Sequence, residues 1–444
     1  MRVIVIGGGA VGLCAAEALS ARDCEVTVVE ADRCGAGASA GNAGWITPSL
    51  ATPVPGPGVI AASMRWLVNP SGPLWIRPTL SPELLGWITD FMLSCRRPVY
   101  ERGLVAMQHL VARASDAFDA LAARGVEFEE HDDPLLYPCF ARAELEHVWS
   151  VVHELQQAGT SQRFERLSPD EIRTLEPALG PGLVGGVIAH GEQRVRPELL
   201  TAGVHRALVE RGVEVLEGTP VTRLDRDSGG WMIDNSVSGA MVRRADTVVI
   251  AAGVDSDRLL AAHGVRVPIA AAKGYSRTYP LDPTGPQRPL YLESPKVAIS
   301  VFDGGVRVSG TLELGARGLS LSARRLAAIA AAAQRALPGW RMPAQPLDWA
   351  GMRSLSPDGL PFIGPVPGLD GVHLATAHAT LGITLAPVTG ELLAGLLLGP
   401  PRADVLAAFD PARAHRRSFA PRRWPFSPRR AAPTGPARAG CADA

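Results

Sequence analysis

The 444-residue chain begins with Arg2-Val-Ile-Val-Ile-Gly-Gly-Gly-Ala-Val-Gly12, and a second apolar run, Val26-Thr-Val-Val-Glu30, follows it closely. Short runs of β-branched residues predict two buried parallel strands, and the residues between them have a helical pattern. In the connecting turn, Gly7 allows a sharp bend, Gly9 leaves room for a pyrophosphate, and Gly12 lets the helix lie close to the sheet. The pattern predicts the first βαβ unit of a dinucleotide-binding domain.

Two further features favour a nucleotide site over a glycine-rich turn that binds nothing. The N terminus of the predicted helix offers free N–H groups and a favourable dipole to phosphates. Glu30 stands at the end of the second run, where its carboxylate can accept hydrogen bonds from the hydroxyls of an adenosine ribose. Strand, helix, second strand and terminal acid together predict a bound dinucleotide, although one fingerprint alone is compatible with either NAD or FAD.

The composition excludes several classes of protein. With 46% hydrophobic residues, a chain of this length can bury a large core and is expected to form two intertwined domains. Lys+Arg and Asp+Glu both number 44, so no net charge favours nucleic-acid binding. The six cysteines show neither a C-x-x-C pair nor metal-type spacing with histidine, which predicts a reduced, cytoplasmic protein without a metal site. Because the first strand begins at Arg2, no signal peptide is expected, and no apolar run is long enough to span a membrane.

Two motifs near the C terminus resemble a known family. They are Gly351-Met-Arg-Ser-Leu-Ser-Pro-Asp-Gly-Leu-Pro-Phe-Ile-Gly364 and Gly371-Val-His-Leu-Ala-Thr-Ala-His-Ala-Thr-Leu-Gly-Ile-Thr-Leu-Ala-Pro387. They resemble the C-terminal region of the FAD-dependent amine and amino-acid oxidoreductases, the family of D-amino-acid oxidase, glycine oxidase and sarcosine oxidase. Within the family the chain is most similar to the small-subunit type of D-amino-acid dehydrogenase. This likeness is supported by Asn42-Ala-Gly44, Lys273-Gly-Tyr-Ser276, Lys296-Val-Ala-Ile299 and Arg307-Val-Ser-Gly-Thr311.

The resemblance implies an α/β fold in which a Rossmann-like FAD-binding domain of the glutathione-reductase type is interleaved with an α+β substrate domain. The substrate domain is expected to be built on a mainly antiparallel sheet. The FAD contacts of the family fall on Gly7, Gly9, Gly12, Glu30, Ser39, Asn42, Val221, Gly253, Gly382, Ile383 and Thr384. Sarcosine oxidases attach FAD covalently through a cysteine at the position of Gly351, so a glycine there implies a noncovalent cofactor.

The same comparison divides the chain into domains. We expect the discontinuous FAD-binding domain to comprise residues 1–50, 145–260 and 345–410, the substrate-binding domain to comprise residues 51–144 and 261–344, and an Arg/Pro-rich tail, 411–444, to be disordered. The segment from Trp45 to about Leu93 is rich in proline and carries four tryptophans, Trp45, Trp66, Trp75 and Trp87. It is expected to cover the substrate pocket, or alternatively to form an aromatic patch that contacts a membrane surface.

Arg353 is the first candidate for substrate binding. A guanidinium is always charged and offers two parallel donors to a carboxylate, and the matching arginine of the family binds the substrate carboxylate. The alternative is an arginine paired with Asp358. Tyr275 is a candidate to contact the substrate, with a half-buried strand tyrosine as its alternative, and His378 is a weaker one, because a single histidine is more often structural.

The resemblance therefore implies oxidative deamination of a D-amino acid, or of a cyclic imino acid such as D-proline or hydroxyproline. Hydride transfer from Cα to flavin N5 gives an imino acid, which water converts to a keto acid and ammonia. The expected acceptor is a quinone, a dye-like carrier or oxygen, with at most peripheral contact with the inner face of the cell membrane. An oxygen-using glycine or sarcosine-type oxidase, a non-catalytic flavoprotein and an NAD-dependent dehydrogenase are the alternatives.

Overall fold

The computed structural model describes residues 1–61, 63, 72–77, 81–234, 243–316, 318–399 and 407–414. Within these residues the helices are α1 (Ala10–Ser20), α2 (Pro82–Ser94), α3 (Arg97–Val111), α4 (Ala114–Ala123), α5 (Arg142–Gln157), α6 (Pro169–Leu175), α7 (Pro197–Glu210), α8 (Ser256–Ala261), α9 (Ala323–Ala336) and α10 (Ala386–Leu398). Short 3₁₀ turns cover Pro48–Leu50 and Gly253–Asp255.

The strands group into two large and two small sheets. They are β1 (Arg2–Ile6), β2 (Glu25–Val29), β3 (Trp45–Ile46), β4 (Leu74–Ile76), β5 (Glu130–Asp132), β6 (Leu135–Cys139), β7 (Phe164–Leu167), β8 (Gly185–Ala189), β9 (Gln193–Val195), β10 (Glu214–Leu216), β11 (Arg223–Asp227), β12 (Gly230–Asp234), β13 (Arg243–Ala245), β14 (Thr247–Ile250), β15 (Ala270–Tyr279), β16 (Leu290–Leu292), β17 (Val297–Phe302), β18 (Gly305–Leu314), β19 (Leu347–Leu355), β20 (Phe362–Pro365) and β21 (Val372–Thr376).

The first large sheet is the predicted dinucleotide-binding sheet. Its strand order is β10-β2-β1-β14-β21-β20, and all pairs are parallel except β20 with β21. In β1, Val3 and Val5 pack under α1 and α10, whereas Ile4 and Ile6 pack with Trp231 of β12 on the opposite face. Both faces of the strand are therefore buried, which explains why its sequence is continuously apolar rather than alternating.

The second large sheet is mainly antiparallel, as predicted. Its nine strands run β19-β15-β18-β17-β16-β6-β8-β7, with β4 pairing beside β18. Only the pairs β16 with β6 and β18 with β4 are parallel. Helix α9 covers one face through Leu326 and Ile329, which pack against Tyr275 and Val308. The chain thus has the expected mixed α/β architecture, with a parallel sheet for the cofactor and an antiparallel sheet beside it.

Sheet membership differs from the predicted domain boundaries at three places. Strands β7 and β8 lie within 145–260 but pair in the antiparallel sheet, and β19 lies within 345–410 but pairs with β15 there. Residues 411–414 belong to the ordered fold, because Ala414 is buried in the core beside the parallel sheet. The rest of the predicted tail lies outside the described residues. Strand pairing joins segments far apart in sequence, so local composition could not assign these strands to a sheet.

Candidate active site

The glycine turn after β1 is closed so tightly that side chains are excluded. Gly7 has a φ of +113°, and a Cβ added to it would lie 2.4 Å from the carbonyl oxygen of Ala251. A Cβ on Gly12 would lie 1.9 Å from the carbonyl oxygen of Gly7. The two glycines are therefore required by the turn itself, as the sequence predicted.

The start of α1 is arranged to receive an anion. Gly9 is the N-cap residue and supplies no side-chain cap, so N–H groups of the first turn are left for a ligand. Ser39 approaches from the following loop, where its Oγ accepts a hydrogen bond from Ala10 N at 3.0 Å. The Glu30 carboxylate accepts hydrogen bonds from Gly8 N at 2.6 Å and from Asp32 N at 3.0 Å. Glu30 thus lies directly beside the turn, at the position expected for ribose binding.

Val221 and Gly253 lie beside the parallel sheet, close to the ends of β2 and β14. The segment before Val221 is held to the end of β2, because Thr219 N donates to Glu30 O at 2.8 Å. Gly253 has a φ of +56°, and a Cβ added there would meet no atom within 4 Å. Thr376 Oγ1 fixes this residue by donating to Gly253 O at 2.9 Å. Gly253 therefore borders open space beside the strands.

The segment before α10 presents a row of backbone donors. Among the residues that the structure describes, the N–H groups of Gly382, Ile383 and Thr384 donate to no protein acceptor. A Cβ on Gly382 would meet only one atom, the Cβ of His378 at 4.0 Å, so this backbone also borders open space. Asn42 approaches it, since its Nδ2 lies 3.4 Å from the carbonyl oxygen of Thr380. Three free donors at a helix start suit a ligand with electron-rich oxygen or nitrogen atoms.

Arg353 lies on β19 and extends over the neighbouring strand β15. A Cβ added to Gly274 would lie 2.8 Å from its Nε and 3.1 Å from its Nη2, so a glycine is needed beneath the guanidinium. The side chain retains some exposed surface, and desolvation by the surrounding protein lowers its pKa to about 10. In the part of the chain that the structure describes, no carboxylate or other group pairs with it. A charged, desolvated guanidinium without a partner among the described residues is a receptor for an anion.

Tyr291 stands beside Arg353 and was missed by sequence reasoning. Burial raises the pKa of the Tyr291 hydroxyl well above its usual range, and the nearby Arg353 charge opposes that rise. Its ring makes edge contacts with Trp45 and Tyr137, at centroid distances of 6.0 and 5.7 Å. Within the described residues its hydroxyl has no hydrogen-bond partner, so it is free to donate to a ligand held by Arg353. No local pattern in the sequence marks this tyrosine.

Two predicted site residues are not brought to Arg353. Tyr275 is fully buried and packs against α9, on the face of β15 opposite to the one covered by Arg353, and its hydroxyl donates to Glu313 Oε2 at 2.7 Å. His378 is buried too, and its Nε2 lies 3.0 Å from Thr389 Oγ1 on α10. Desolvation lowers the pKa of His378 to about 3, so the ring is neutral at physiological pH. Tyr275 is thus a strand residue, fully buried rather than half-buried, and His378 is bonded within the core; contact of either with a substrate stays a prediction.

The tryptophan-rich segment packs inward where the structure describes it. Trp45 and Trp87 are buried and Trp75 is half-buried, whereas Trp66 lies outside the described residues. Trp87 Nε1 donates to the carbonyl oxygen of Leu355 at 3.1 Å, which fixes α2 at the end of β19 close to Arg353. Trp45 packs against Tyr291 and Trp75 against Arg325, so the described tryptophans have separate neighbours, and a cover over the substrate stays a prediction.

The fold and the site define an enzyme with a dinucleotide-binding domain and, beside it, a buried arginine without a partner among the described residues. The chain belongs to the FAD dependent oxidoreductase (DAO) family, whose model matches residues 2–396. Its cofactor is FAD, and the closed glycine turn, the free helix start and the donors at 382–384 fit that group.

Curated relatives match over most of their length. The chain is 33% identical over 406 residues to a D-amino acid dehydrogenase of Xanthobacter autotrophicus, covering 90% of this chain and 96% of the relative. It is 34% identical over 409 residues to a D-amino acid dehydrogenase of Xylella fastidiosa, covering 89% and 92%. Among solved structures, glycine oxidase from Geobacillus kaustophilus shares the fold with a TM-score of 0.71 at 23% identity, covering 92% of this chain and 98% of that one. Among the helices described here, none combines the length and apolarity needed to cross a membrane.

Proposed function

We propose that the protein is an FAD-dependent dehydrogenase that oxidises the Cα–N bond of a D-amino acid, or of a cyclic imino acid such as D-proline or hydroxyproline. The observation that carries the proposal is the buried Arg353 guanidinium over Gly274, which has no partner among the described residues and suits the carboxylate of an amino acid. The relatives named D-amino acid dehydrogenase support the choice of substrate and of its handedness.

Binding and orientation are the work of the chain's own residues. Arg353 holds the substrate carboxylate by two parallel N–H donors, and the free hydroxyl of Tyr291 supplies a third. When bound, FAD supplies a two-electron acceptor. An amine that has given its extra proton to water before binding would lose a hydride from Cα to this acceptor and become an iminium. Water then hydrolyses the iminium of a primary amino acid to a keto acid and ammonium, whereas a cyclic imino acid keeps its nitrogen when the ring opens. An amine that binds neutral needs no side-chain base, so fixing the carboxylate is the main catalytic contribution.

FAD is held noncovalently in this proposal. Gly351 offers no thiol near Arg353, and Arg353 and Gly351 lie on the same face of β19. Heating or acid precipitation should release all of the yellow chromophore into the supernatant. Colour retained in the washed precipitate would contradict a noncovalent cofactor.

The electron acceptor is proposed to be a quinone or a dye-like carrier rather than oxygen. Enzyme reduced by substrate without air should stay bleached in air-saturated buffer until a quinone analogue or dye is added. Reoxidation by air within one turnover time would make the protein an oxidase of the glycine or sarcosine type.

We also propose a cytoplasmic location with peripheral contact with a membrane, and one surface of the described structure supports that contact. Helix α2 exposes Leu85 and Met92, with 50% and 44% of their surface accessible, seven residues apart on one side of the helix. Sedimentation with anionic vesicles should decrease when both residues are changed to serine. Equal sedimentation of this variant and the parent would contradict the contact.

The substrate class is tested by anaerobic bleaching of the flavin with a panel of D- and L-amino acids, proline, sarcosine and glycine. A D-amino acid or a cyclic imino acid should bleach the visible absorbance fastest. A yellow protein bleached by none of the panel would be a non-catalytic flavoprotein, and a colourless protein would favour the NAD alternative.

A further inference from the structure

The indole of Trp349 is wedged between two glycines from separate parts of the chain. A Cβ added to Gly41 would lie 2.0 Å from its Cδ2, and a Cβ added to Gly351 would lie 2.2 Å from its Cζ2. For each glycine, the three nearest atoms to that Cβ all belong to Trp349. Neither glycine has a φ in the left-handed region, so the backbone would accept alanine at both positions. The indole alone therefore excludes side chains there.

The indole lies beside the substrate anchor. Trp349, Gly351 and Arg353 are alternate residues of β19 and share one face of the sheet. Gly351 pairs directly with Gly274 in β15, and the Arg353 guanidinium covers Gly274 while the indole covers Gly351. Gly274 and Gly351 thus form a surface without side chains of their own, which the Arg353 guanidinium covers at Gly274 and the indole covers at Gly351.

Besides Gly351, the indole contacts Gly41, which belongs to the loop beside the first turn of α1. Gly41 lies between Ser39, which bonds to the first turn of α1, and Asn42, which approaches the segment before α10. Trp349 therefore closes the gap between this loop and the antiparallel sheet. It is half-buried, and in the described part of the chain its indole N–H has no acceptor, so part of the ring remains accessible to a ligand.

We propose that Trp349 is the end wall of the cofactor cavity and that the flat ring of bound FAD packs against it. Aromatic surfaces pack favourably on one another, and a rigid indole held by two glycines presents such a surface without losing side-chain freedom on binding. The inference rests on FAD as the cofactor of the proposed function. In this proposal the indole of Trp349 contacts FAD and does not contact the side chain of the substrate.

The test uses the purified holoenzyme and measures FAD fluorescence and the rate of FAD release after dilution. Trp349→Ala should raise the fluorescence of bound flavin, because the quenching indole is gone, and should speed FAD release by roughly tenfold. Gly41→Ala, whose added Cβ displaces the indole, should act in the same direction. Trp349→Phe, which keeps a smaller ring, should give intermediate values and preserve the fold if the alanine variant does not.

A double variant makes the test specific. Because Gly41 acts through the indole, adding Gly41→Ala to Trp349→Ala should speed FAD release by less than about twofold further. Trp149→Ala is the matched control, since Trp149 lies on α5 against Arg166 and should leave both readouts unchanged.

The proposal is overturned if Trp349→Ala and Trp349→Phe keep the parental flavin fluorescence and release rate while only KM for bulky substrates changes. Fully additive effects of Gly41→Ala and Trp349→Ala on FAD release would overturn it as well. Failure of the proposed function is separate, because it would appear as a parent enzyme that retains FAD but is bleached by no amino acid.

Discussion

Asp358 is held by Arg413, whose Nε lies 3.0 Å from its carboxylate oxygen Oδ2, although Arg353 is far nearer in sequence. The Arg413 guanidinium also donates to the carbonyl oxygen of Leu360 at 2.6 Å and lies over the Phe362 ring at 3.9 Å from its centroid. The pair is almost completely buried. Since Asp358 is engaged in this contact, Arg353 is left to bind a ligand.

Arg413→Ala should therefore destabilise the protein without affecting substrate affinity. Removing one partner of a buried ion pair leaves an uncompensated charge, which costs about 3 kcal/mol. Urea unfolding should show this loss, while KM for the best amino acid stays within about twofold of the parent. A large rise in KM at unchanged stability would instead connect Asp358 and Arg413 to the substrate site.

Tyr291→Phe should weaken substrate binding, whereas Tyr275→Phe should not. Loss of a hydrogen bond to a charged carboxylate costs about 1.5–3 kcal/mol, equivalent to roughly a 10- to 150-fold rise in KM. Tyr275 donates to Glu313 on the other face of the sheet, so its hydroxyl matters for stability only. Steady-state kinetics of both variants check the placement, and the reverse pattern would favour Tyr275 as the substrate residue.

Gly12→Ala should abolish FAD binding. The added Cβ would lie 1.9 Å from the carbonyl oxygen of Gly7, so the turn must open and its N–H groups move away from the phosphates. Gly395→Ala in α10 is the matched control, because its Cβ meets no atom within 4 Å and should stabilise the helix by about 0.5–1 kcal/mol. The ratio of flavin to protein absorbance measures the outcome. A Gly12→Ala variant that purifies with full flavin content would contradict the role of the turn.

His378 should make the protein sensitive to acid. The unfolded chain protonates this histidine near pH 6.5, but burial lowers its pKa in the folded protein to about 3. Unfolding therefore takes up a proton between these values, and stability falls as the pH falls, by at most about 1.4 kcal/mol per pH unit. His378→Gln should flatten the dependence of unfolding free energy on pH in this window. His147→Gln is the control, because a hydrogen bond to Glu293 raises the pKa of His147. The contribution of His147 to stability therefore falls as the pH rises, which is the opposite of the dependence expected from His378.

Much of the parallel sheet could be predicted because its signals are local. Apolar runs and glycines predicted β1 and the turn that leads into α1, and the structure has both. Arg353 was identified through the motif that contains it rather than from spacing.

The remaining features depend on contacts between distant segments. Tyr291 lies near Arg353 because β16 and β19 belong to one sheet. The register that pairs Gly351 with Gly274 determines which side chains lie over these two glycines. Tyr275 lies on β15, the strand beside Arg353, but side chains on a strand alternate between the two faces of the sheet. The side chain of Tyr275 lies on the face opposite to Arg353. Short strands such as β7 carry too few residues to show which sheet they join.

Anaerobic titration of Arg353 variants with the best D-amino acid, followed by bleaching of the flavin absorbance, tests the central claim most directly. Arg353→Met should retain FAD and need roughly 30- to 1000-fold more substrate for half-maximal bleaching, because a buried carboxylate loses its charged partner. Arg353→Lys should recover part of this loss, since lysine restores the charge but not the two parallel donors. An Arg353→Met enzyme that is bleached at the same substrate concentration as the parent would contradict the account.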